Sequence, residues 1–246
     1  MEVPSYIALS RLVAQTRALE VTATNMANAN TPGFKAGRMQ FSDWLSRQTG
    51  ANSPRGGKVV AFVQDRATYR DQQAGPVQTT GNPFDVAIGG DGYFSVETPR
   101  GPRLTRAGRF TPLPDGRLGD LDGNALLDTA GQPIRIGAAD TRVTIAADGT
   151  VSSENGRLGR IGVVQPADPM RMTAEGARTL RADGATAPVA QPQVIQGAIE
   201  DSNVQPVLEM TRMMADLREF QFTTQFVQGE ADRLQSSIDK LTQHTG

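Results

Sequence analysis

Residues 206–243 constrain the chain more than any other stretch. Counted in heptads from Met210, the a positions are Met210, Leu217, Thr224, Ala231 and Ile238. The d positions are Met213, Phe220, Val227, Leu234 and Leu241. Apolar residues held at a 3.5-residue period over several heptads make a helix with a seam that another helix must cover. At about 1.5 Å per residue this helix is a rod roughly 55 Å long, which a compact domain has little use for. Asp201-Ser202-Asn203 supplies the capping residues and Pro206 the first turn. Phe222 and Phe226 lie off the seam and leave a further apolar face to be covered.

A matching seam runs through residues 5–30. Leu12, Leu19 and Met26 recur every seven residues, with Ser5 one heptad earlier, and Leu9, Thr16, Ala23 and Asn30 fill the positions between. The alternating spacing is again that of a coiled coil, although the seam is narrow and partly polar. Asn28 and Asn30 tolerate the backbone of a helix end, and Thr31-Pro32-Gly33 has the order of a type II turn. Two seams at opposite ends of one chain predict that the ends lie side by side, with the middle forming a domain of its own. A pair of helices buries only one side of each, so the outer sides remain for other subunits.

The middle changes period. Residues 35–57 read as a loop-rich link with one short amphipathic turn at Phe41, Trp44 and Leu45, a flexible run at 52–57, and a β-run from Lys58 to Gln64. From Gly81 to about Arg160 short alternating runs are separated by turn signals such as Asp115-Gly116, Asp122-Gly123, Asp148-Gly149 and Asn155-Gly156. Short strands joined by Asx-Gly turns, with no helical period between them, predict an antiparallel β domain. Residues 166–193, polar and rich in Ala, Asp and Pro, read as a return path. The fold class is α+β: paired N- and C-terminal coiled-coil helices around a central antiparallel β-rich domain. The division is residues 1–35 with 200–246 as the helical part, 36–80 as linker and β-extension, and 81–199 as the β-rich outer part.

Composition removes several functions. A net charge of −1 argues against nucleic-acid or anionic-membrane partners. The absence of cysteine excludes disulfides, thiolate metal sites and a cysteine nucleophile. No run approaches the roughly 18 apolar residues of a membrane span, and the first residues carry no cleavable signal pattern. The protein is then expected either to stay in the cytosol or to leave by a route that reads no such signal. The single histidine, His244, is near the end, where a general base is out of place. Gly89, Gly90 and Gly92 precede a strand, not a helix, so they are no dinucleotide loop. Asp120-Leu121-Asp122-Gly123-Asn124 has the alternating oxygens of a calcium loop, but Ala125 and Gly131 stand where glycine and an acid are needed, which favours a plain hairpin turn. Asp85, Asp91, Asp115 and Asp122 all fall at turns. Arg100, Arg103, Arg106 and Arg109 alternate faces in an extended chain, which fits a solvated hairpin, or docking onto an acidic neighbour as the sharper reading. No catalytic residue, metal or cofactor is expected.

Several motifs carry a resemblance. Residues 25–35, Asn-Met-Ala-Asn-Ala-Asn-Thr-Pro-Gly-Phe-Lys, resemble the N-terminal signature of bacterial flagellar rod and hook proteins, centred here on Asn28, Thr31, Pro32, Gly33 and Phe34. Residues 80–88 with 90–94, and 104–110 with Asp115-Gly116, resemble the start of that family's β domain. Residues 197–204 resemble its approach to the last helix. The motifs occur in the family's order. Length and the run 205–211 are most similar to the proximal-rod type, with the distal-rod and hook types as rivals. The resemblance implies a structural axial subunit of the basal-body rod that is exported unfolded by the type III apparatus without a cleavable signal. It would polymerise in the periplasm with other copies of itself and with other rod subunits, and transmit motor torque to hook and filament. The assembly interface would then be the two seams: Leu9, Leu12, Thr16, Leu19, Ala23 and Met26 in one, and the a and d residues given above in the other. Their small and polar members weaken self-pairing, so the ends are expected to order on joining neighbours. The rival of a different class is a secreted β-rich enzyme or adhesin, which would need a cleft with converging polar groups.

Overall fold

The computed structural model describes residues 3–48, 58–176 and 178–243. They fall into two compact units, one of residues 1–26, 37–68 and 206–246, the other of 27–36 and 69–205.

The first unit contains α1 (Val3–Ala27), α2 (Pro206–Gln243) and a two-stranded sheet of β1 (Gly37–Gln48) and β2 (Lys58–Arg70). The helices from the two ends of the chain pair, as the matching seams predict. They run antiparallel: Arg11 meets Glu219 and Gln15 meets Thr223, whereas Asn25, near the end of α1, meets Glu209, near the start of α2. At 38 residues against 25, α2 continues past the start of α1. Residues 37–48 correct the sequence reading, being a strand and not a loop-rich link with an amphipathic turn. Met39 and Phe41 alternate with Arg38, Gln40 and Ser42, and pairing with a second long strand settles the extended form. The flexible run at 52–57 lies outside the described residues.

The second unit is antiparallel throughout its sheets. β3 (Val77–Thr79) and β4 (Val86–Ile88) lead in, followed by β5 (Tyr93–Thr98) and β6 (Gly101–Thr105) as a hairpin. Next come β7 (Phe110–Pro112), β8 (Leu118–Asp120) and β9 (Ala125–Leu126), then β10 (Val143–Ile145), β11 (Thr150–Ser153) and β12 (Gly156–Arg160) as a separate three-stranded sheet. Residues 166–193 are more than a return path. β13 (Val163–Pro166), β14 (Met172–Ala174), β15 (Leu180–Ala182) and β16 (Thr186–Pro188) add to the large sheet, in which the order β14-β15-β6-β5-β9-β8-β7 holds and β13 joins β5 to β16. Their alternation is too polar to read locally, and edge pairing with strands far back in sequence decides it. Finally β17 (Val194–Gln196) pairs with β4, and β18 (Ala198–Glu200) with β3, so the outgoing chain zips onto the incoming one.

The main cluster of buried side chains in this unit has Phe94, Phe110, Leu118, Leu126, Val151 and Ile161 fully enclosed. The rings of Phe94 and Phe110 meet edge to face at 5.3 Å. Turn chemistry explains the calcium-like run. Asp120 Oδ1 accepts the N–H groups of Asp122 and Asn124, and its Oδ2 accepts the Asn124 amide, so the carboxylate closes the turn itself.

Candidate assembly surface

The family-like motifs from three parts of the chain converge in the second unit. After α1, the Thr31 N–H donates to the Asn28 carbonyl and its hydroxyl to the Asn28 side chain, which closes the helix end. Pro32 sets up the turn and Gly33 completes it at φ +70°, where a Cβ would stand 2.2 Å from the Arg106 carbonyl carbon. Only glycine allows that approach. The Gly33 N–H then donates to the Glu200 carbonyl at 2.7 Å. Phe34 is buried against Ala36 and Val204, with the Arg70 guanidinium 5.2 Å from its ring centre. Asn203 accepts from the Ala36 N–H and donates to the carbonyls of Asp71 and Gln73.

Beneath this turn lies a buried ion cluster. Lys35 Nζ donates to Glu200 at 2.6 Å and to the Gln73 carbonyl at 2.7 Å. Arg106 Nε stands 2.9 Å from the other Glu200 oxygen, an ionic contact rather than an aligned hydrogen bond, while the same guanidinium donates to the Gly92 carbonyl. Burial lowers the Lys35 ammonium below the ordinary lysine range, against the pull of Glu200, and the nearby Arg106 charge adds to the lowering. A hollow of about 190 Å³ opens beside it, lined by Lys35, Gln72, Tyr93 and Arg106. These polar groups are spent on one another, since the Tyr93 hydroxyl donates to Gln72 at 2.6 Å. Of the arginine series, Arg106 is therefore internal, and Arg103 pairs with Glu175 at 2.9 Å. Among the described residues no group of His, Cys, Asp and Glu is arranged to hold a metal.

In the helical unit, each seam is divided between an inner and an outer side. On α2 the half-buried side chains include Met213, Phe220, Val227 and Leu234, d positions, joined by Asp216, Thr223 and Glu230, and Glu209 on the same face is fully buried. The a positions Met210, Leu217 and Ala231 are exposed, and Thr224 is half-buried. On α1, Leu12, Leu19 and Met26 are half-buried, while Leu9, Thr16 and Ala23 are exposed. What α1 buries most deeply is small or polar: Ala8, Ala14, Gln15, Thr22 and Asn25. The side chains of Ser5, Ile238 and Leu241, and all of His244, lie outside the described residues.

The outer side is apolar. On α1, Leu9 and Val13, one turn apart, are 56% and 51% exposed. On α2, Val207, Met210, Met214 and Leu217 follow one another at three- and four-residue steps, a continuous exposed stripe that borders the half-buried Met213 and Phe220. Phe222 and Phe226 form a second exposed pair, with Phe222 at 71%. Large apolar side chains in such density on a helix surface mark a face meant to be covered.

Three family models match in order along the chain. "Flagella basal body rod protein" covers residues 6–35, "Flagellar hook protein FlgE/F/G D1 domain" 87–153, and "Flagellar basal body rod FlgEFG protein C-terminal" 195–240. The chain is 37% identical over 238 residues to the flagellar basal-body rod protein FlgF of Caulobacter vibrioides, covering 96% of both chains. With FlgF of Mesorhizobium japonicum it shares 35% over 240 residues, again 96% of both. The chain belongs to the FlgF family of flagellar basal-body rod proteins. FlgG of Bacillus subtilis is more distant, at 30% over 244 residues, 90% of this chain and 92% of that one. Membership places this rod protein with structural components and not with enzymes. No helix among the described residues is long and apolar enough to cross a membrane.

Proposed function

We propose that this rod protein polymerises through the outer sides of its two terminal helices, and that the resulting shaft carries motor torque from the basal body toward hook and filament. The observation that carries the reading is the split seam. Each helix turns one half of its periodic apolar residues toward its partner and leaves the other half, with Phe222 and Phe226, uncovered. The seams comprise Leu9, Leu12, Thr16, Leu19, Ala23 and Met26 on α1, and Met210, Met213, Leu217, Phe220, Thr224, Val227, Ala231, Leu234, Ile238 and Leu241 on α2. The inner members, such as Leu12, Leu19, Met213 and Phe220, join the two helices of one subunit, and the outer members, such as Leu9, Met210 and Leu217, meet the neighbouring subunits. The turn of Asn28, Thr31, Pro32, Gly33 and Phe34 follows α1 and belongs to the second unit. A face on one helix that meets a different face on the next copy gives heterologous contacts, which build a filament and not a closed dimer. The neighbours are further copies and other rod subunits. The subunit leaves the cell interior unfolded through the type III apparatus and joins the rod in the periplasm, as the proximal-rod type.

Replacing both Phe222 and Phe226 by Ser tests this. The side chains are exposed, so thermal stability of the free subunit should move by less than about 0.5 kcal/mol. Motility and the recovery of intact rods should be lost. Normal rod assembly by the double variant would overturn the reading.

A further inference from the structure

Both helices repeat their inner faces every seven residues. Ala8, Gln15 and Thr22 recur on α1, and Glu209, Asp216, Thr223 and Glu230 recur on α2 beside Met213, Phe220, Val227 and Leu234. Two such faces meet almost equally well after a slide of one heptad, about 10 Å along the axis. The middle of the contact does little to forbid it. Gln15 donates one long hydrogen bond, 3.3 Å, to Thr223, and its own Oε1 is buried with no hydrogen-bond partner. Arg11 and Glu219 are half-exposed, and long side chains of that kind re-pair readily.

One end of the contact is different. Asn25 is buried, and its amide is tied to the main chain of β1: Oδ1 accepts the Gly37 N–H at 2.7 Å and Nδ2 donates to the Gly37 carbonyl at 3.0 Å. The same Nδ2 donates to Glu209 Oε2 at 3.0 Å. Arg38, the next residue of β1, donates to Glu209 Oε1 at 2.7 Å, and Arg212 does so from α2 itself. Glu209 is 1% exposed. Burial alone would raise its carboxyl, but the hydrogen bonds from Arg38 and Asn25 and the charges of Arg38 and Arg212 hold it below the ordinary glutamate range. Because the Asn25 amide is anchored on Gly37, it cannot follow α2 if α2 slides.

We propose that Asn25, Arg38 and Glu209 are positioning residues that fix which turn of α2 faces which turn of α1. A one-heptad slide would bring Asp216 to the place of Glu209. Asp216 lies on the same face, has no ion-pair partner among the described residues, and is one methylene too short to meet the Asn25 amide and the Arg38 guanidinium together. The difference in length between Glu209 and Asp216 is thus what separates the two registers. Buried polar contacts that select one register of a coiled coil are well attested. The register sets how far α2 extends past α1 and so which outer residues a neighbour meets. That last link rests on the assembly reading, but the register does not.

The full chain has no cysteine, so introduced pairs report the register without background. Gln15→Cys with Thr223→Cys reads the register of the structure, and Gln15→Cys with Glu230→Cys reads the one-heptad slide. With the other residues unchanged, only the first pair should cross-link. Exchanging the two acids, Glu209→Asp with Asp216→Glu, keeps composition and charge, and should move cross-linking to the second pair. Glu209→Ala should give both cross-links. Cross-linking that stays on the first pair in the exchanged variant would overturn the proposal, as would a fall in melting temperature of Glu209→Ala with no second cross-link. Failure of the first pair to cross-link in the otherwise unchanged chain would overturn it too. Rod assembly is not part of the readout, so a failed assembly test leaves this result standing.

Discussion

At the scale of single residues, Glu200 carries the most consequence. It holds two buried cations, Lys35 and Arg106, and also accepts the Gly75 N–H at 2.9 Å. A buried ion cluster adds little over a well-packed apolar one, but removing a single member leaves uncompensated charge in a medium that solvates it poorly. Glu200→Gln should therefore cost about 3–5 kcal/mol in urea unfolding. Glu200→Gln combined with Lys35→Met should recover part of that loss, because it removes one of the two stranded charges. Equal destabilisation by the single and double variants would show that the cluster is not coupled. Each of the three lies in one of the family-like motifs, but nothing local in the sequence pairs them. Lys35 and Glu200 are 165 positions apart, and Arg106 reads as one of four arginines at regular spacing.

At the scale of elements, the helix pair is held by two different kinds of contact. Half-buried Phe220, Val227 and Leu234 on α2 supply apolar area, whereas the Asn25–Arg38–Glu209 group supplies charge and direction. The second contribution depends on pH. The folded-state value of Glu209 lies below its ordinary 4.5, so the unfolded chain takes up the proton first. Its stabilisation is complete above the ordinary value and fades as pH falls through the lowered one. Asp216 works the other way, since burial and the neighbouring Glu219 and Glu209 raise its carboxyl. Acid therefore relieves Asp216 while it releases Glu209. Thermal melts of the helical signal, taken downward from neutral pH, should show a loss that Glu209→Gln flattens. An unchanged slope in that variant would assign the acid loss to other groups.

At the scale of the whole molecule, the two units differ in how much they bury. The β-rich unit encloses Phe94, Phe110, Leu118, Leu126 and Ile161 completely. Most of α2 remains half-buried or exposed, with Glu209 its one deeply buried side chain among those described. Segments with few enclosed apolar contacts open at lower free energy than the global transition. Limited proteolysis of the free subunit should therefore cut within α1 and α2 well before it cuts within residues 77–200. Helices as resistant as the β-rich unit would contradict the uncovered face on which the assembly reading depends. Addition of rod neighbours should protect the same cleavage sites.

The sequence alone determined the helical period at both ends, the strand period between them, the turns marked by Asx-Gly, and a motif order specific enough to name the family. Those features are written in neighbouring residues, because a heptad seam or an Asp-Gly turn has the same local energetics wherever it occurs. Only the tertiary structure decided that residues 37–48 extend as β1, that β14 to β16 complete the large sheet, and that β17 and β18 close onto β4 and β3. It also decided which side of α1 turns inward: Ala8, Gln15 and Thr22, which lie outside the heptad seam read from the sequence, are buried while Leu9 and Val13 are not. A period says that a helix has an apolar side, but the partner's small residues and one anchored carboxylate select how that side is turned, and those partners lie at the far end of the chain.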